Sequence, residues 1–407
     1  MKLNIQIFGL GFVGLTTALA LSKMKFRVHG VENDNYKLES LKKKKLYFYE
    51  PHLKDRLKIE IKKKYFSFSN NYFISKKKVN IFFICVGTPD KKNGEADINY
   101  IENIIKNLKK KITDEKILLV IKSTVPPGTA DLLKKKYNAK NLHFISNPEF
   151  LREGTAWNDF FYSGKIIIGC NNNFSKIVMN KIYKKFNDPI IFTNNNTAEF
   201  IKYLSNTLLA TLISFSNEMT MFAEKFGNIN IKESFNALKL DKRWNGRPCN
   251  ISSYLHPGIG YGGYCLPKDV KALNYLISKF KKKNILKFVN KINEEIFYHQ
   301  VNKITKSTNK NIFILGLSFK PNSDDIRQST SIKILKYLEQ NSNKKIYACD
   351  FFCYEQVRKI FPKKISITEH PFLKKNTSYV LCTAHKEYIP FLKKIKKEEI
   401  IDLRYLV

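Results

Sequence analysis

Apolar positions along the chain follow two rhythms. Short, nearly continuous apolar runs bounded by glycine, proline or asparagine read as buried strands. They fall at residues 3–8, 27–31, 79–86, 117–121 and 142–146 in the first half, and at 311–315, 345–349, 366–368, 379–383 and 400–403 in the second. Apolar residues spaced three or four apart predict helices between them: one running to Met24, one over 98–110, helical segments from 269 to about 307, and one over 331–339. Strand and helix alternate in both halves, the signature of parallel sheets covered by helices.

One helical pattern is much longer than the others. From Thr197 to Phe226 the apolar residues Ile201, Leu204, Leu208, Leu212, Phe215, Met219 and Phe222 keep the helical spacing, and Gly227 closes it. At about 1.5 Å per residue it spans roughly 45 Å, enough to join two domains. Thr197 is the expected cap at its start. Lys202 and Asn206, four apart, share a face, which is either a solvated polar stripe or a ligand-facing one. The expected fold is therefore α/β: two Rossmann-like, doubly wound domains joined by a long central helix. The boundaries fall at 1–196, 197–300 and 301–407.

Composition narrows the setting. With 407 residues, 43% of them hydrophobic, the chain can build more than one core. No apolar run approaches the roughly 18 residues needed to cross a bilayer, and no separate apolar leader precedes the first strand, so a soluble, cytoplasmic protein without a membrane partner is expected. Seven cysteines (85, 170, 249, 265, 349, 353 and 382) lack paired spacing, which points to a reducing compartment. Cys349 and Cys353, with His370 and His385 downstream, make half of a metal set that no second cysteine pair completes, and no metal is expected. The net charge of +37 resembles a nucleic-acid signal, yet its lysine runs at 42–45, 62–64, 76–78, 109–111, 134–136 and 281–283 are spread along the chain. They read as solvated faces, with weak polyanion binding but no specific nucleic acid.

Candidate chemistry begins at the first turn. The strand at 3–8 runs into Gly9-Leu10-Gly11-Phe12-Val13-Gly14 and a helix, and the strand at 27–31 ends in Glu32. Strand, glycine turn, helix, strand and acid, with the acid roughly 20 residues on, is the order of a dinucleotide-binding unit. Gly9 permits the tight turn, Gly11 the approach of a pyrophosphate and Gly14 the packing of helix on strand. Glu32 would accept from ribose hydroxyls and repel a 2′-phosphate, favouring NAD over NADP, with Lys37 as the counter-signal. Small or polar loops follow the next strands, as open parallel sheets require of a binding edge.

The other candidate is the loop from Gly258 to Asp269, where four glycines precede Cys265 and where Lys268 and Asp269 follow it. A thiol beside a backbone made for close approach is a candidate nucleophile; the alternative is a glycine turn next to an ordinary buried cysteine. The second α/β half lacks a full glycine fingerprint, which argues against a second dinucleotide and leaves a nucleotide or nucleotide sugar as its partner. Asp324, Asp325 and Arg327 cluster beside its first loop, as a ligand contact or as a helix cap with surface charge.

Taken in order, these segments resemble the UDP-glucose/GDP-mannose dehydrogenase family over essentially the whole chain. The resemblance is carried by the first glycine turn, Val86-Gly87-Thr88-Pro89, Lys122-Ser123-Thr124-Val125-Pro126-Pro127-Gly128-Thr129 and Asn147-Pro148-Glu149-Phe150-Leu151-Arg152-Glu153-Gly154. It continues through Ala198-Glu199-Phe200-Ile201-Lys202-Tyr203-Leu204-Ser205-Asn206, Phe215-Ser216-Asn217-Glu218, the cysteine loop and the segment from Gly316 to Arg327. The resemblance implies oxidation of a nucleotide sugar's C6 alcohol to a carboxylate with two NAD⁺ and one water. It makes 1–196 the NAD-binding domain, 197–300 a helical dimerisation domain with the catalytic cysteine, and 301–407 the nucleotide-sugar-binding domain.

The implied roles are specific. Cys265 would form a thiohemiacetal and then a thioester, Lys202 and Asn206 would stabilise developing negative charge, and Asp269, Thr124 and Glu153 would hold or activate water. Cofactor contacts would be Gly9, Gly11, Phe12, Val13, Gly14, Glu32, Lys37, Val86, Thr88, Thr124, Glu153 and Arg327. Substrate contacts would be Phe150, Leu151, Arg152, Lys202, Asn206, Tyr254, Gly262 and Lys320, with Arg243 reaching across a homodimer built on the central helix. Tyr264 and the intact Cys265-Leu266-Pro267-Lys268-Asp269 run favour UDP-glucose, to be oxidised to UDP-glucuronate, as the substrate. Residues 243–250 replace a shorter segment common in UDP-glucose enzymes, residues 251–258 are as close to GDP-mannose enzymes as to UDP-glucose ones, and GDP-mannose or UDP-N-acetylmannosamine is the alternative. A basic nucleic-acid-binding protein or a non-catalytic NAD sensor would leave Cys265, Lys202 and Asp269 unexplained.

Overall fold

The computed structural model describes residues 2–137, 141–241, 258–279, 284–362 and 365–405. Two compact units divide between Ser205 and Asn206, within the long helix.

The first unit is built on eight strands: β1 (Leu3–Phe8), β2 (Val28–Val31), β3 (Phe66–Ser69), β4 (Val79–Ile84), β5 (Ile117–Ile121), β6 (Leu142–Ser146), β7 (Ile166–Gly169) and β8 (Ile190–Thr193). Their spatial order is β3-β2-β1-β4-β5-β6-β7-β8. The first six follow the 3-2-1-4-5-6 order of a dinucleotide-binding sheet. All neighbours are parallel except β6 and β7, which meet antiparallel at Ser146 and Gly169. Alternate residues face two cores: Ile5, Ile7, Ile81 and Phe83 pack with Leu15 and Leu19 on one side, and Phe8, Phe82 and Ile84 with Ile101 and Ile105 on the other. A sheet buried on both faces explains why its strands read as continuous apolar runs.

In the second unit, helices Ile231–Leu240, Cys265–Lys279 and Ile285–Thr305 precede a five-stranded parallel sheet. Its strands are β9 (Asn311–Leu315), β10 (Lys345–Cys349), β11 (Ile365–Thr368), β12 (Thr377–Leu381) and β13 (Ile400–Asp402), in the order β11-β10-β9-β12-β13. The first four repeat the 3-2-1-4 pattern, with a crossover between β9 and β12.

Three local expectations change. The long helix spans Asn195–Phe226, two residues earlier than expected, and its cap is Asn194, whose Oδ1 accepts from the Thr197 amide at 2.8 Å. Thr197 is thus inside the helix. The helix that follows the glycine loop begins at Cys265 itself, four residues earlier than the periodicity indicated. Finally, β3, β7 and β8 are strands of four residues each that the pattern did not reveal.

Candidate active site

The glycine turn after β1 is held by close backbone contacts. Gly9 has φ +83°, and its amide donates to the carbonyl of Val31 at 2.9 Å. A Cβ on Gly14 would lie 1.8 Å from the Gly9 carbonyl oxygen, so only glycine lets the helix sit this close to the strand. Gly11 is the opposite case: a Cβ there would meet nothing within 4 Å. Gly11 also precedes a helix, Phe12–Lys23, that has no side-chain cap. Open space in front of unclaimed helix N-terminal amides is what a pyrophosphate requires.

Glu32 sits at the end of β2, 8% exposed. Its carboxylate accepts from the amides of Leu10 (2.9 Å), Asn33 (2.9 Å) and Asp34 (3.1 Å), and Lys37 Nζ lies 3.6 Å away. The cation expected to attract a 2′-phosphate is therefore engaged with Glu32. Beside them lies a cavity of about 250 Å³ lined by Gly9, Val31, Glu32, Tyr72 and Val86. This donor set fits NAD. Across the sheet's crossover, Thr88 Oγ1 donates to the Thr124 carbonyl at 2.8 Å and Ser123 Oγ to the Val86 carbonyl at 2.6 Å. Val86, Thr88 and Thr124 are thereby gathered at one edge.

Lys202 is 4% exposed on the long helix, and its Nζ lies 3.1 Å from Glu149 Oε1. Its ammonium stands 5.3 Å from the Phe150 ring centroid. Glu149 Oε2 also accepts from the Leu151 amide at 2.5 Å. A second buried lysine, Lys122, reaches Asn147 at 3.4 Å, and burial lowers its pKa. Glu149 was not singled out from the sequence, although an acid just past the carboxyl end of a strand is the same signal that identified Glu32. Glu153, the acid that was singled out, is half-buried in the turn that follows β6. The Arg152 guanidinium is occupied by Asp159, with contacts of 2.7 and 3.0 Å.

In the second unit, Cys265 is the first residue of its helix and is exposed; the other described cysteines are buried or half-buried. Burial pushes the Cys85 and Cys382 thiols up to about 12, leaving them inert. A helix N-terminus favours a developing thiolate. Behind it, Asp269 is fully buried and accepts from Asn206 Nδ2 at 2.6 Å and from Lys268 Nζ at 2.5 Å. Burial works against the charge on Lys268, but Asp269, with Cys265 and Tyr264, outweighs it and holds the lysine's pKa above its ordinary value.

The glycines before Cys265 let its loop approach neighbouring protein closely. Gly260 and Gly263 have φ +90° and +79°, and added Cβ atoms would meet the Asn293 Oδ1 and the Phe319 ring. At Gly262 the obstacle is the Gln328 carbonyl oxygen, 2.5 Å away. These glycines bring the loop against protein in the same unit. Arg327 completes that contact: its carbonyl accepts from the Gly263 amide at 2.9 Å and its guanidinium lies 4.6 Å from the Tyr264 ring centroid. Asp325 holds the same guanidinium through contacts of 2.6–3.0 Å. Lys320 lies along Phe319, with its Nζ 5.4 Å from that ring's centroid. Arg243 and Tyr254, like residues 242–257 generally, lie outside the described residues.

The second sheet repeats the first turn in reduced form. Gly316 has φ +88° and donates to the Cys349 carbonyl at 3.0 Å, as Gly9 does to Val31. Asp350, at the end of β10, accepts from the amides of Leu317 (2.7 Å) and Ser318 (3.1 Å), and His385 Nε2 lies 3.1 Å from it. His385, weighed in the sequence as half of a metal set, is thus paired with Asp350. The lysine runs at 42–45, 62–64, 76–78, 109–111 and 134–136 are solvent-exposed. Among the described residues, no helix is long and apolar enough to cross a membrane.

Comparison with known proteins gives a consistent picture. Residues 3–187 match the NAD binding domain of the UDP-glucose/GDP-mannose dehydrogenase family, 196–295 its central domain and 313–407 its UDP binding domain. The chain is 39% identical over 360 residues to a UDP-glucose 6-dehydrogenase of Rickettsia prowazekii, covering 86% of this chain and 80% of the relative. A UDP-glucose 6-dehydrogenase of Bacillus subtilis is 34% identical over 377 residues, covering 90% of this chain and 84% of that one. Among solved structures, a UDP-glucose dehydrogenase of Pyrobaculum islandicum aligns with TM-score 0.88 at 30% identity, covering 100% of this chain and 95% of that one. A GDP-mannose dehydrogenase of Pseudomonas aeruginosa aligns with TM-score 0.55 at 28% identity, covering 99% and 96%.

Proposed function

The chain belongs to the UDP-glucose/GDP-mannose dehydrogenase family and is an NAD-dependent nucleotide-sugar dehydrogenase; from this premise we propose that it oxidises UDP-glucose to UDP-glucuronate through a thioester on Cys265. The observation that carries the reading is the exposed Cys265 at a helix N-terminus, backed by the buried Lys268, Asp269 and Asn206. The relatives named for UDP-glucose, and the higher TM-score of the UDP-glucose dehydrogenase, support this sugar over GDP-mannose.

Gly9 to Gly14, Glu32, Val86 and Thr88 would hold the dinucleotide, with pyrophosphate at Gly11 and adenosine ribose at Glu32. NAD⁺ supplies the two-electron acceptor, used twice. The first oxidation turns the C6 alcohol into an aldehyde, the alcohol proton leaving to solvent through a base. The Cys265 thiolate then adds to the aldehyde carbon, forming a C–S bond. The family resemblance gives the stabilisation of the resulting alkoxide to the Lys202 ammonium and the Asn206 amide. Loss of a second electron pair gives the thioester; water adds to it, the C–S bond breaks and Cys265 leaves as thiolate. The products are a carboxylate, two NADH and three protons. Glu149 sits beside Lys202 and can accept protons there, while Asp269 with Lys268 can manage those of water near the thiol.

A reducing cytoplasm would keep Cys265 as a thiol. A second copy of the chain would cover Leu208, Phe215 and Met219, which are 51%, 47% and 38% exposed on the long helix. NADH yield measured with UDP-glucose, GDP-mannose and UDP-N-acetylmannosamine tests the substrate. Turnover fastest with UDP-glucose is expected; turnover with another sugar alone would overturn it.

A further inference from the structure

Glu199 has no part in the chemistry above, yet it is one of the most heavily hydrogen-bonded carboxylates of the first unit. It lies on the long helix three residues before Lys202 and is 3% exposed. Its Oε2 accepts from the amides of Gly128 (2.7 Å) and Thr129 (3.1 Å), and its Oε1 from the amide of Ala130 (3.0 Å) and the hydroxyl of Ser146 (2.8 Å). The three amides belong to the start of helix Thr129–Tyr137, whose first N–H groups have no partner within that helix. Such groups are ordinarily satisfied by a local serine, threonine or aspartate cap. Here the cap comes from a helix about 70 residues further along the chain, and it also binds the end of β6. Asn195 reinforces the same junction: its Oδ1 accepts from the Ser146 amide at 3.1 Å and its Nδ2 donates to the Phe144 carbonyl at 3.3 Å.

Three elements meet at this carboxylate, and each carries a group assigned to the reaction. The segment between β5 and helix Thr129–Tyr137 carries Thr124, whose carbonyl is held by Thr88. The segment just after β6 carries Glu149, and the long helix carries Lys202, paired to Glu149 at 3.1 Å. We propose that Glu199 is a positioning residue that sets the register of Thr124, Glu149 and Lys202, an inference that rests on the function proposed above. Burial pushes its pKa up to about 7 against the pull of its four donors, so the clamp is a costly arrangement for the fold to keep. A glutamine at this position keeps the shape but turns an NH₂ group toward amide donors. Misplacement of reacting groups by about 1 Å can cost on the order of a hundredfold in rate.

The test compares wild type, Glu199→Gln and Ser146→Ala, the last removing one donor only. Amide hydrogen exchange at residues 128–130, NAD⁺ affinity by calorimetry, and kcat and KM with the nucleotide sugar are measured for each. In Glu199→Gln, exchange at those amides is expected to rise at least about tenfold and kcat to fall about ten- to a hundredfold, while the Kd for NAD⁺ rises by a smaller factor, because Thr124 is one cofactor contact among many and the glycine turn is untouched. Ser146→Ala should fall between. Faster exchange with kcat within about twofold of wild type would reduce Glu199 to a structural cap and overturn the inference, as would unchanged exchange. If Glu199→Gln does not fold, Ser146→Ala decides by the same criteria. A wild-type protein that oxidises no nucleotide sugar would sink the proposed function instead, and is read separately.

Discussion

Two glycine substitutions in the first turn should separate fold from cofactor. Gly11 has φ −62° and ψ −168°, which any residue can adopt, and a Cβ there meets nothing within 4 Å. Gly11→Ala should therefore fold as wild type, or gain about 0.4–1 kcal/mol from a less flexible unfolded chain. Its methyl group, however, would stand where the proposed pyrophosphate site lies. Gly14→Ala is the reverse: the Cβ meets the Gly9 carbonyl oxygen at 1.8 Å. Backbone cannot yield as a flexible side chain does, so the cost should reach or exceed the roughly 1–3 kcal/mol typical of overpacking. The assay is thermal unfolding with and without NAD⁺. At a hundredfold excess over Kd, wild type should gain about 2.7 kcal/mol, which for a unit of 205 residues is a rise in Tm of about 5–10 °C. Gly11→Ala should keep the wild-type Tm without NAD⁺ and lose this rise, whereas Gly14→Ala should melt early in both conditions. A Gly11→Ala protein with the full NAD⁺ shift would refute the placement of the pyrophosphate, and a Gly14→Ala protein melting like wild type would refute the packing argument.

Two further outcomes follow from buried charges. Burial opposes ionisation of Asp350, but His385 and the surrounding amides outweigh it and depress its pKa from 3.8 to about 2. A depressed carboxylate contributes stability that is present above 3.8 and lost as pH falls toward 2, here about 2 kcal/mol at about 1.4 kcal/mol per pH unit; acid titration by near-UV circular dichroism should show this loss in wild type and not in Asp350→Asn. Asp269→Asn should strand Lys268 in the interior without its anion, costing about 3–5 kcal/mol in urea unfolding and lowering kcat about a hundredfold or more. Unfolding at the wild-type urea concentration would contradict the pairing.

Much of this was legible because the relevant signals are local. Glu32 could be placed because a strand, three glycines and an acid roughly 20 residues on leave few other arrangements. The strands at 117–121 and 142–146 appear where the apolar runs begin and end. What escaped was set by contacts distant in sequence. In the Asn194-Asn195-Asn196-Thr197 run every residue can cap a helix, and only the fold selects Asn194. Glycines at 260, 262 and 263 announced a close approach but not the protein groups they meet, Asn293, Gln328 and Phe319. Strands β3, β7 and β8 have four residues each, as β2 and β11 do, and β3 alternates phenylalanine with serine instead of forming an apolar run. Asp350 repeats the role of Glu32, but Gly316 stands without the second and third glycines that flagged the first turn.

Cys265 is the proposed covalent anchor between two oxidations, and the most direct measurement of that role is the NADH yield per UDP-glucose consumed in wild type and in Cys265→Ser. Wild type should release two NADH per UDP-glucuronate formed, while the variant should stop after the first oxidation and make no acid at a comparable rate. A Cys265→Ser protein that makes UDP-glucuronate as fast as wild type, with two NADH each, would contradict the account.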